Sequence, residues 1–515
     1  MKNLLLAVDI GTSACKIAVF GPEGNIVSSS TEPYRTYYPH PGWAEQDPRE
    51  WWGAVCKGIN KCLCCGHDKA GDIAGVGVDG QSWSCIPVGK DGEALCRTPI
   101  WMDTRASSIC ERINGEIGED TIFSLSGNPF QPSYTTPKIL WLMENRPDVY
   151  RATYKFLQSN SYIVYMLTGK VSQDISQGYG LHVFDIKNLR YSENMCRAMG
   201  IDADKLPPVF NCSDVVGTVT SEAAKLTGIS EGTPVVAGGL DAACGTLGAG
   251  VYLPGQTQEQ GGQAGGMSIC LDKPVGNAKL ILSPHVVPGM WLLQGGTVGG
   301  GGCMRWLGGE LGQPEKEIAD KTGGNVYKLL DGLASSVPAG SNGVIFLPYL
   351  AGERSPIWDT NAKGVYFGLT FDKKRAHFFR SMLEGTAYAL EHNLQVAEKS
   401  GVKVGTMYSM GGAANSSLWT QIKADVTGKV IRVASSDSAT TLGAAVLAGI
   451  GSGVYSGFKE AVGKTVKIKR EYTPDKCKHE IYMKYFKVYL DIYKQLKPVM
   501  AEHAEILKNC EEKVK

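Results

Sequence analysis

Short apolar segments that run into polar, glycine-containing bends dominate the start of this chain. The apolar run Leu4–Val8 leads into the bend Asp9–Ser13, and a second apolar run follows at Lys16–Phe20. The turn signal Gly21–Asn25 separates that run from a third candidate strand, Ile26–Ser30. The sequence therefore predicts a chain that opens as a β-meander with a polar first bend.

Strand and helix patterns alternate along the remaining residues. Because one hydrophobic core stops growing at about 250–300 residues, a chain of 515 residues predicts two domains. The other predicted elements are strands at Ile73–Val78, Val235–Leu240, Met267–Leu271 and Trp291–Leu293, and helices at Ala376–Val396, Leu418–Asp425 and an aromatic stripe within 482–493.

Composition excludes several classes of function. Lys and Arg number 52 against 51 Asp and Glu, so the net charge of +1 gives no basic footprint for nucleic acid and little attraction to anionic membranes. We therefore expect no nucleic-acid and no membrane partner. The 15 cysteines, with Cys62, Cys64 and Cys65 as the tightest group, lack zinc-site spacing and favour reduced thiols in a cytoplasmic protein.

Two nucleotide-binding motifs are nearly matched, and both lack the required context. The glycines of Gly75–Gly80 fit G-x-G-x-x-G but fall inside a predicted strand, whereas a dinucleotide site needs them at a strand-to-helix turn. Gly463-Lys464-Thr465 resembles the end of a P-loop, but the upstream glycine is displaced by one residue. We expect neither a nicotinamide site nor a P-loop.

The bend Asp9–Ser13 offers a different phosphate-binding device. Its backbone N–H groups and two hydroxyls can hold phosphate oxygens, and a carboxylate on the preceding strand can hold Mg²⁺ through water. A second glycine-rich bend, Gly261–Gly266, can be laid over the first. From the residues alone, a plain hairpin is an equally good interpretation of Asp9–Ser13.

Four longer motifs make the chain recognisable. The sequence resembles the FGGY carbohydrate kinases from about Leu4 to Gly453, with the motifs in the order of that family. They are YTTPKILWLMEN at Tyr134–Asn145, PYLAGERSPIWD at Pro348–Asp359, GVYFGLTFDKKRAHFFRSMLE at Gly364–Glu384 and MGGAANSSLWTQIKAD at Met410–Asp425.

The resemblance implies an α/β fold of two actin/Hsp70-like (ribonuclease H-like) lobes with a central cleft. It also implies transfer of phosphate from ATP, with Mg²⁺, to a terminal hydroxyl of a small sugar or polyol. The implied domains are an N-terminal lobe at 1–250 and a nucleotide-binding lobe at 251–470. The aromatic stripe within 482–493 further predicts a C-terminal helix at 471–515 that packs back on the first lobe. A homodimer is compatible with the resemblance.

Positions of the family motifs give the candidate site residues. Asp241 matches the catalytic base, and Asp9 would help to hold Mg²⁺. From the residues alone, a helix N-cap is as good an interpretation of Asp241 as a base. The residues expected to bind ATP are Gly11, Thr12, Ser13, Lys16, Gly262, Gly296, Thr297, Gly411, Gly412 and Asn415. The residues expected to bind the sugar are Gln81, Ser82, Trp83, Trp101 and Asp241.

Some expected sugar contacts have structural alternatives. Simple core packing is nearly as good an interpretation of Trp83, and Asp103 and Arg105 could only pair with each other and hold their loop. The chain also departs from the xylulose kinases that its motifs most resemble. It has Ser82-Trp83 where they carry Met-His, and Ala242 where they carry Asn.

These departures leave the acceptor open. The resemblance favours a ketopentose, with D-xylulose first, over ribulose, a tetritol or glycerol. An actin- or Hsp70-like ATPase and a non-catalytic sugar-binding regulator are the alternatives of another class. Gln263-Ala264 replaces a common Thr-Ser pair in the second bend, which would remove hydroxyl contacts to phosphate but keep backbone N–H groups.

Overall fold

The computed structural model describes residues 2–64, 69–435 and 438–514. Cys65 lies outside these ranges. The chain forms two compact units, each assembled from three segments. The first unit comprises Met1–Pro254, Cys270–Leu292 and Ser438–Lys467, and the second comprises Gly255–Ile269, Leu293–Asp437 and Ile468–Lys515.

Strands occur throughout the described residues. They are β1 (Leu4–Ile10), β2 (Ala14–Phe20), β3 (Ile26–Pro33), β4 (Glu45–Gln46), β5 (Ile73–Gly80), β6 (Ile86–Val88), β7 (Thr98–Pro99), β8 (Lys155–Leu157), β9 (Gln173–Asp174), β10 (Phe184–Asp185), β11 (Arg190–Tyr191), β12 (Val209–Phe210), β13 (Val215–Thr218), β14 (Pro234–Val236), β15 (Gly239–Leu240), β16 (Thr257–Gly261), β17 (Gly265–Leu271), β18 (Ile281–Pro284), β19 (Trp291–Thr297), β20 (Ile345–Leu347), β21 (Val365–Phe367), β22 (Met407–Met410), β23 (Ile431–Ala434) and β24 (Ile468–Tyr472).

Helices connect and cover these strands. They are α1 (Pro48–Cys64), α2 (Lys69–Asp72), α3 (Ser107–Ile117), α4 (Glu119–Ser126), α5 (Thr135–Asn145), α6 (Pro147–Ala152), α7 (Ser159–Thr168), α8 (Ile175–Gly178), α9 (Glu193–Met199), α10 (Ser221–Thr227), α11 (Asp241–Gly248), α12 (Gly301–Leu311), α13 (Gln313–Thr322), α14 (Val326–Ser335), α15 (Arg375–Lys399), α16 (Ser417–Thr427), α17 (Ala439–Gly451), α18 (Phe458–Thr465) and α19 (Lys476–Val514).

A mixed sheet forms the core of the first unit. Its strands lie in the order β13-β14-β5-β1-β2-β3, and β15 also pairs with β5. The predicted meander is confirmed, because β1, β2 and β3 pair antiparallel in sequence. Strand β1 extends through Asp9 and Ile10, two residues beyond the prediction, and pairs in parallel with β5.

The predicted strand Val235–Leu240 is interrupted. It divides into β14 and β15 because Gly238 has a φ of 73°, which an extended strand does not allow. A Cβ atom on Gly238 would lie 1.8 Å from the carbonyl oxygen of Val78, so only glycine fits this close approach. After the break, β15 pairs in parallel with β5, and helix α11 begins directly after it at Asp241.

Glycines of strand β5 also allow helix α17 to pack closely against the sheet. A Cβ atom on Gly77 would lie 2.1 Å from the carbonyl oxygen of Ala444 in α17. The expectation that these glycines lie in a strand, not in a dinucleotide loop, is confirmed. This packing also explains why residues 438–467, expected in the second lobe, belong to the first unit. Gly463-Lys464-Thr465 ends helix α18 instead of preceding a helix as in a P-loop.

The second unit is built on a sheet that contains the order β19-β17-β16-β22-β23-β24. Helices α15 and α16 carry the apolar face that packs with the last helix, α19. The expectation that α19 packs on the first lobe is wrong. Its buried Tyr482, Phe486 and Tyr489 belong to the core of the second unit, and the Tyr482 hydroxyl accepts a 2.8 Å hydrogen bond from Arg380 of α15.

Two further features bear on the expected environment of the chain. Every cysteine among the described residues is a free thiol. In the part of the chain that the structure describes, no helix combines the length and the apolar character needed to cross a membrane.

The interruption at Gly238 gives a test of the fold. We expect Gly238→Ala to lower the free energy of unfolding by roughly 3 kcal/mol or more, because it adds a steric clash to an unfavourable φ. The matched control is Gly232→Ala, which has a φ of 83° but open space at the Cβ position. The control should cost only about 1–2 kcal/mol in chemical denaturation. Equal effects of the two substitutions would contradict the close approach to Val78.

Candidate active site

Three carboxyl groups lie together at the ends of neighbouring strands in the first unit. Parallel pairing sets Asp9 of β1 opposite Asp79 of β5, and Asp79 opposite Gly239 of β15, two residues before Asp241. Asp9 is 4% exposed and Asp79 is fully buried. We call Asp9, Asp79 and Asp241 the carboxylate cluster; Asp79 is the member that the sequence analysis did not predict as a site residue.

Burial and mutual repulsion raise the pKa values of this cluster. Burial raises the pKa of Asp79 well above its usual range, and the charges of Asp9 and Asp241 raise it further. Burial also raises the pKa of Asp9, against the lowering effect of Lys16, whose Nζ lies 3.8 Å from Asp9 Oδ2. For Asp241, burial and then the charge of Asp9 raise the pKa to about 7. A carboxyl group with this pKa can accept a proton near neutral pH.

Asp241 occupies the first turn of helix α11. Its Oδ1 accepts a 2.6 Å hydrogen bond from the N–H of Ala242. The N-cap of α11 is Leu240, with no side-chain cap, so the alternative interpretation of Asp241 as the N-cap is wrong. One carboxylate oxygen of Asp241 thus bonds to an N–H group in the first turn of α11.

The first bend is held by residues from three other segments. The Gly11 N–H donates to the carbonyl of Ala14 at 3.2 Å, and the hydroxyl of Tyr34 donates to the carbonyl of Gly11. Thr12 receives two further bonds: its carbonyl accepts from Gln46 Nε2 at 2.6 Å, and its Oγ1 accepts from Trp101 Nε1 at 3.0 Å. Ser13 and Lys16, both expected to contact phosphate, are exposed.

Trp101 therefore contacts the first bend directly. We expected Trp101 to bind the sugar. Its indole hydrogen bond to Thr12 joins residues 101–105 to the candidate phosphate-binding backbone. In the same segment, buried Asp103 accepts from the Arg105 Nε at 2.9 Å and from the N–H of Ala44 at 2.7 Å. Asp103 and Arg105 thus pair with each other and hold their loop.

The segment after strand β5 carries the expected sugar residues. Gln81 is buried, and its Nε2 donates to Gln46 Oε1 at 2.7 Å, which links it to the residue that holds Thr12. The Ser82 hydroxyl accepts from Tyr179 at 3.1 Å. Trp83 has a φ of 62° and stacks on Tyr134, with ring centroids 4.1 Å apart.

Lys138 holds the segment after strand β5 through hydrogen bonds to backbone carbonyls. Its Nζ is buried and donates to the carbonyls of Trp83, Ile100 and Ser133 at 2.9, 2.8 and 2.6 Å. Burial lowers the pKa of Lys138 to about 7, against the opposite effect of Asp103. Three loops that carry or flank the candidate sugar residues thus share one cation. Lys138 lies within the motif at Tyr134–Asn145, but its sequence pattern did not predict this role.

In the second unit, several expected nucleotide residues line one cavity of about 470 Å³. Gly262, Gly412 and Asn415 lie on its wall, together with Asp331 of α14. Gly411 has a φ of 86°, and a Cβ atom there would approach the carbonyl of Gly261 to 2.9 Å. The cavity has the size and the polar groups of a small-molecule site.

Gly296 and Thr297 do not line this cavity. They end strand β19, and Thr297 lines a smaller neighbouring space with Gly265. The second glycine-rich bend, in which Gln263-Ala264 departs from the family pattern, packs on the start of α12. There the N–H groups of Gly301 and Gly302 donate to the carbonyls of Gly262 and Gln263 at 2.7 and 2.9 Å. Two of the expected phosphate contacts are thus separate from the large cavity.

Comparison with known proteins gives a consistent result. The models for the N-terminal and C-terminal domains of the FGGY family of carbohydrate kinases match residues 4–248 and 269–452. A xylulose kinase of Staphylococcus epidermidis is 31% identical over 504 residues, which cover 98% of this chain and 99% of the relative. An autoinducer-2 kinase of Yersinia enterocolitica is 33% identical over 490 residues, 92% of this chain and 91% of the relative.

A solved structure shares the architecture. The crystal structure of xylulose kinase from Rhodospirillum rubrum matches with a TM-score of 0.88 and 27% identity, over 97% of this chain and 100% of that one. The predicted two-domain α/β fold is therefore confirmed.

The raised pKa of Asp241 predicts a pH-dependent effect on stability. A carboxyl group that ionises near 7 when folded and near 3.8 when unfolded costs stability as pH rises between these values. We therefore expect Asp241→Asn to raise the thermal midpoint at about pH 8 and to have little effect at about pH 4.

The control for that prediction is Glu111→Gln, which neutralises an exposed carboxylate on helix α3. The control should change the midpoint little at either pH. If the thermal midpoint of Asp241→Asn stays below that of the natural protein at about pH 8, the raised pKa of Asp241 would be contradicted.

Proposed function

This chain belongs to the FGGY family of carbohydrate kinases and is a sugar kinase, and we propose that it phosphorylates a terminal hydroxyl of a ketopentose, with D-xylulose first. The observation that carries the chemical part of this proposal is Asp241, a carboxyl group with a pKa of about 7 at the end of a buried strand. The acceptor is proposed from the similarity to xylulose kinases over nearly the whole chain.

In the proposed reaction, Asp241 accepts the proton of the acceptor hydroxyl. The hydroxyl oxygen forms a bond to the γ-phosphorus of ATP while the bond to the β–γ bridging oxygen breaks, which releases ADP. Burial, and then repulsion from Asp9, raise the pKa of Asp241, which keeps its acid and base forms close in free energy near neutral pH. Asp241 also orients the hydroxyl by accepting its hydrogen bond.

We propose phosphate-binding and Mg²⁺-binding residues in the first unit and nucleotide-binding residues in the second. In the first, Gly11, Thr12, Ser13 and Lys16 would contact phosphate, and Asp9 would hold Mg²⁺ through water. In the second, Gly262, Gly296 and Thr297 would contact phosphate, and Gly411, Gly412 and Asn415 would bind the adenosine. The first set lies within Met1–Pro254 of the first unit, and the second set lies within Gly255–Ile269 and Leu293–Asp437 of the second unit.

The residues of the first unit fit a metal that arrives with its nucleotide. Among the described residues, no group of three or more His, Cys, Asp or Glu side chains is arranged to hold an ion. Mg²⁺ in kinases takes one or two carboxylates, with water and phosphate oxygens as the other ligands. Asp9 is buried and lies opposite Asp79 on the neighbouring strand, so it could supply one such carboxylate. The bound Mg²⁺ would neutralise charge on the phosphates.

Several differences from the xylulose kinases lie at residues expected to contact the sugar or polyol that accepts the phosphate. Trp83 and Tyr134 give the segment after β5 a stacked aromatic surface, and Ala242 removes a polar contact beside the base. These differences, together with the similarity to an autoinducer-2 kinase, support testing ribulose, tetritols, glycerol and other polyols beside xylulose. A cytoplasmic location is supported by the free thiols of the described cysteines.

A coupled assay of ADP release tests the acceptor and the base together. With MgATP, we expect D-xylulose to stimulate ADP release far more than ribulose, tetritols or glycerol do. Asp241→Asn should lower kcat by about 10³-fold or more while it changes sugar binding, measured by calorimetry, by less than about threefold. The control is again Glu111→Gln, with unchanged turnover expected.

Other outcomes of the assay have clear meanings. Acceptor-independent ATP turnover would favour the actin- or Hsp70-like ATPase, and sugar binding without turnover would favour a regulator. Normal turnover in Asp241→Asn would exclude Asp241 as the base.

The pH dependence of kcat/KM provides an independent check. Because Asp241 must be ionised to accept a proton and its pKa is about 7, the rate should rise with pH up to that value and then level off. At two pH units below, kcat/KM for the sugar should be about 100-fold lower than on the plateau. A flat profile across this range would contradict the proposed protonation state.

A further inference from the structure

Glu353, Arg354 and Ser355 form a consecutive tripeptide whose three side chains all contact the end of strand β19. Two backbone hydrogen bonds, each 2.9 Å, join Glu353 to Asp359 and close the loop that carries the tripeptide. This loop lies within the motif PYLAGERSPIWD at Pro348–Asp359, to which the sequence resemblance gives no role in the site. We call residues 353–355 the ERS tripeptide.

Ser355 is fixed to Gly296. Its hydroxyl accepts from the Gly296 N–H at 2.6 Å and donates to the Gly296 carbonyl at 3.1 Å. The carbonyl of Ser355 in turn accepts from Asn393 of α15 at 3.1 Å. A buried hydroxyl with both of these bonds sets the position of Gly296 relative to the helix.

Glu353 is fixed to the residue after Thr297. Its Oε1 accepts from the N–H groups of Val298 and Arg354, at 2.6 and 2.8 Å. Glu353 is 5% exposed. Backbone N–H groups, and not the neighbouring guanidinium, donate the hydrogen bonds to Oε1 of its carboxylate. Glu353 and Ser355 together hold both ends of the Gly296–Val298 backbone.

Between them, the guanidinium of Arg354 lies against Gly296. A Cβ atom at Gly296 would be 3.0 Å from Nη2 and 3.1 Å from Cζ of Arg354, so the missing side chain makes room for the guanidinium. Arg354 is half-buried, and burial lowers the pKa of its guanidinium. Among the described residues, none forms a hydrogen bond or an ion pair with this guanidinium, and the charge of the neighbouring Glu353 favours its protonated form without a direct contact.

A guanidinium held in this way lacks the partner that its chemistry favours. Partly buried Arg side chains are usually paired with carboxylate or phosphate, and the planar fork of donors fits two phosphate oxygens. The neighbouring Gly296 and Thr297 are among the residues that the sequence resemblance leads us to expect at the ATP phosphates. We propose that Arg354 is a phosphate-binding residue, positioned by Glu353 and Ser355 to donate to the phosphate chain of the nucleotide; this rests on the proposed kinase function.

Binding of nucleotide fragments tests this inference without catalysis. The probes are the magnesium complex of a non-hydrolysable ATP analogue and adenosine, each titrated by calorimetry into the full-length protein. Arg354→Gln should weaken binding of the ATP analogue by about tenfold or more and leave adenosine binding within about twofold. Arg354→Lys should fall between, because it keeps the charge but loses the fork of donors.

Two further variants separate positioning from general damage. Glu353→Gln keeps an oxygen acceptor for the Val298 and Arg354 N–H groups and should bind the ATP analogue nearly as the natural protein does, whereas Glu353→Ala should resemble Arg354→Gln. The matched control is Arg432→Gln, which removes an exposed guanidinium paired with Glu471 at 2.7 Å in the same unit. The control should leave both affinities unchanged.

The outcomes distinguish this inference from the proposed function. Loss of ATP-analogue affinity in Arg354→Gln, in a protein that phosphorylates no acceptor, would support the inference and contradict the proposed function. Phosphorylation of an acceptor with unchanged analogue affinity in Arg354→Gln would overturn the inference alone. Parallel loss of adenosine and analogue binding would also overturn it, because the effect would then be structural.

Discussion

Strand register in the first unit is the constraint on which the candidate chemistry depends. Parallel pairing of β5 with β1 and with β15 sets Asp9 beside Asp79, and Asp79 beside the residue two positions before Asp241. A slip of one residue would turn the Asp79 side chain to the other face of the sheet. Burying these carboxyl groups together costs folding free energy, and the surrounding core of the first unit must offset that cost. Burial first, and then the charge of Asp9, raise the pKa of Asp241 to about 7, which makes this carboxyl group basic enough to accept a proton near neutral pH.

Much of this arrangement could be predicted from local sequence signals. The short apolar runs and the polar bend at Asp9–Ser13 define the meander, and Asp241 is recognisable as the residue that ends an apolar run. The interruption at Gly238 could not be predicted, because it depends on a close approach to Val78, 160 residues earlier in the chain. Likewise, the aromatic stripe of α19 shows that one face is buried but does not show against which unit.

The candidate site was predictable only where the family motifs name a residue. Asp79 is a single carboxylate inside a strand pattern, and its significance comes from its neighbours on β1 and β15. Lys138 acts on three carbonyls that lie far apart in sequence, so no local pattern indicates its role. The acceptor is the least predictable part, because Ser82 and Trp83 depart from the family pattern at the positions expected to contact it. A stacked aromatic pair shapes a binding surface without specifying which hydroxyls it accepts.

The central claim is that the carboxylate cluster directs phosphate from ATP to a sugar hydroxyl. Phosphorus NMR of a reaction with MgATP and D-xylulose tests this claim most directly, because it identifies the product that receives the phosphate. The account predicts a new phosphate-monoester resonance that grows as the γ-phosphate signal falls and that is coupled to the protons of a CH₂ group. Loss of the γ-phosphate signal with orthophosphate as the only new product, for xylulose and every other acceptor offered, would contradict the account.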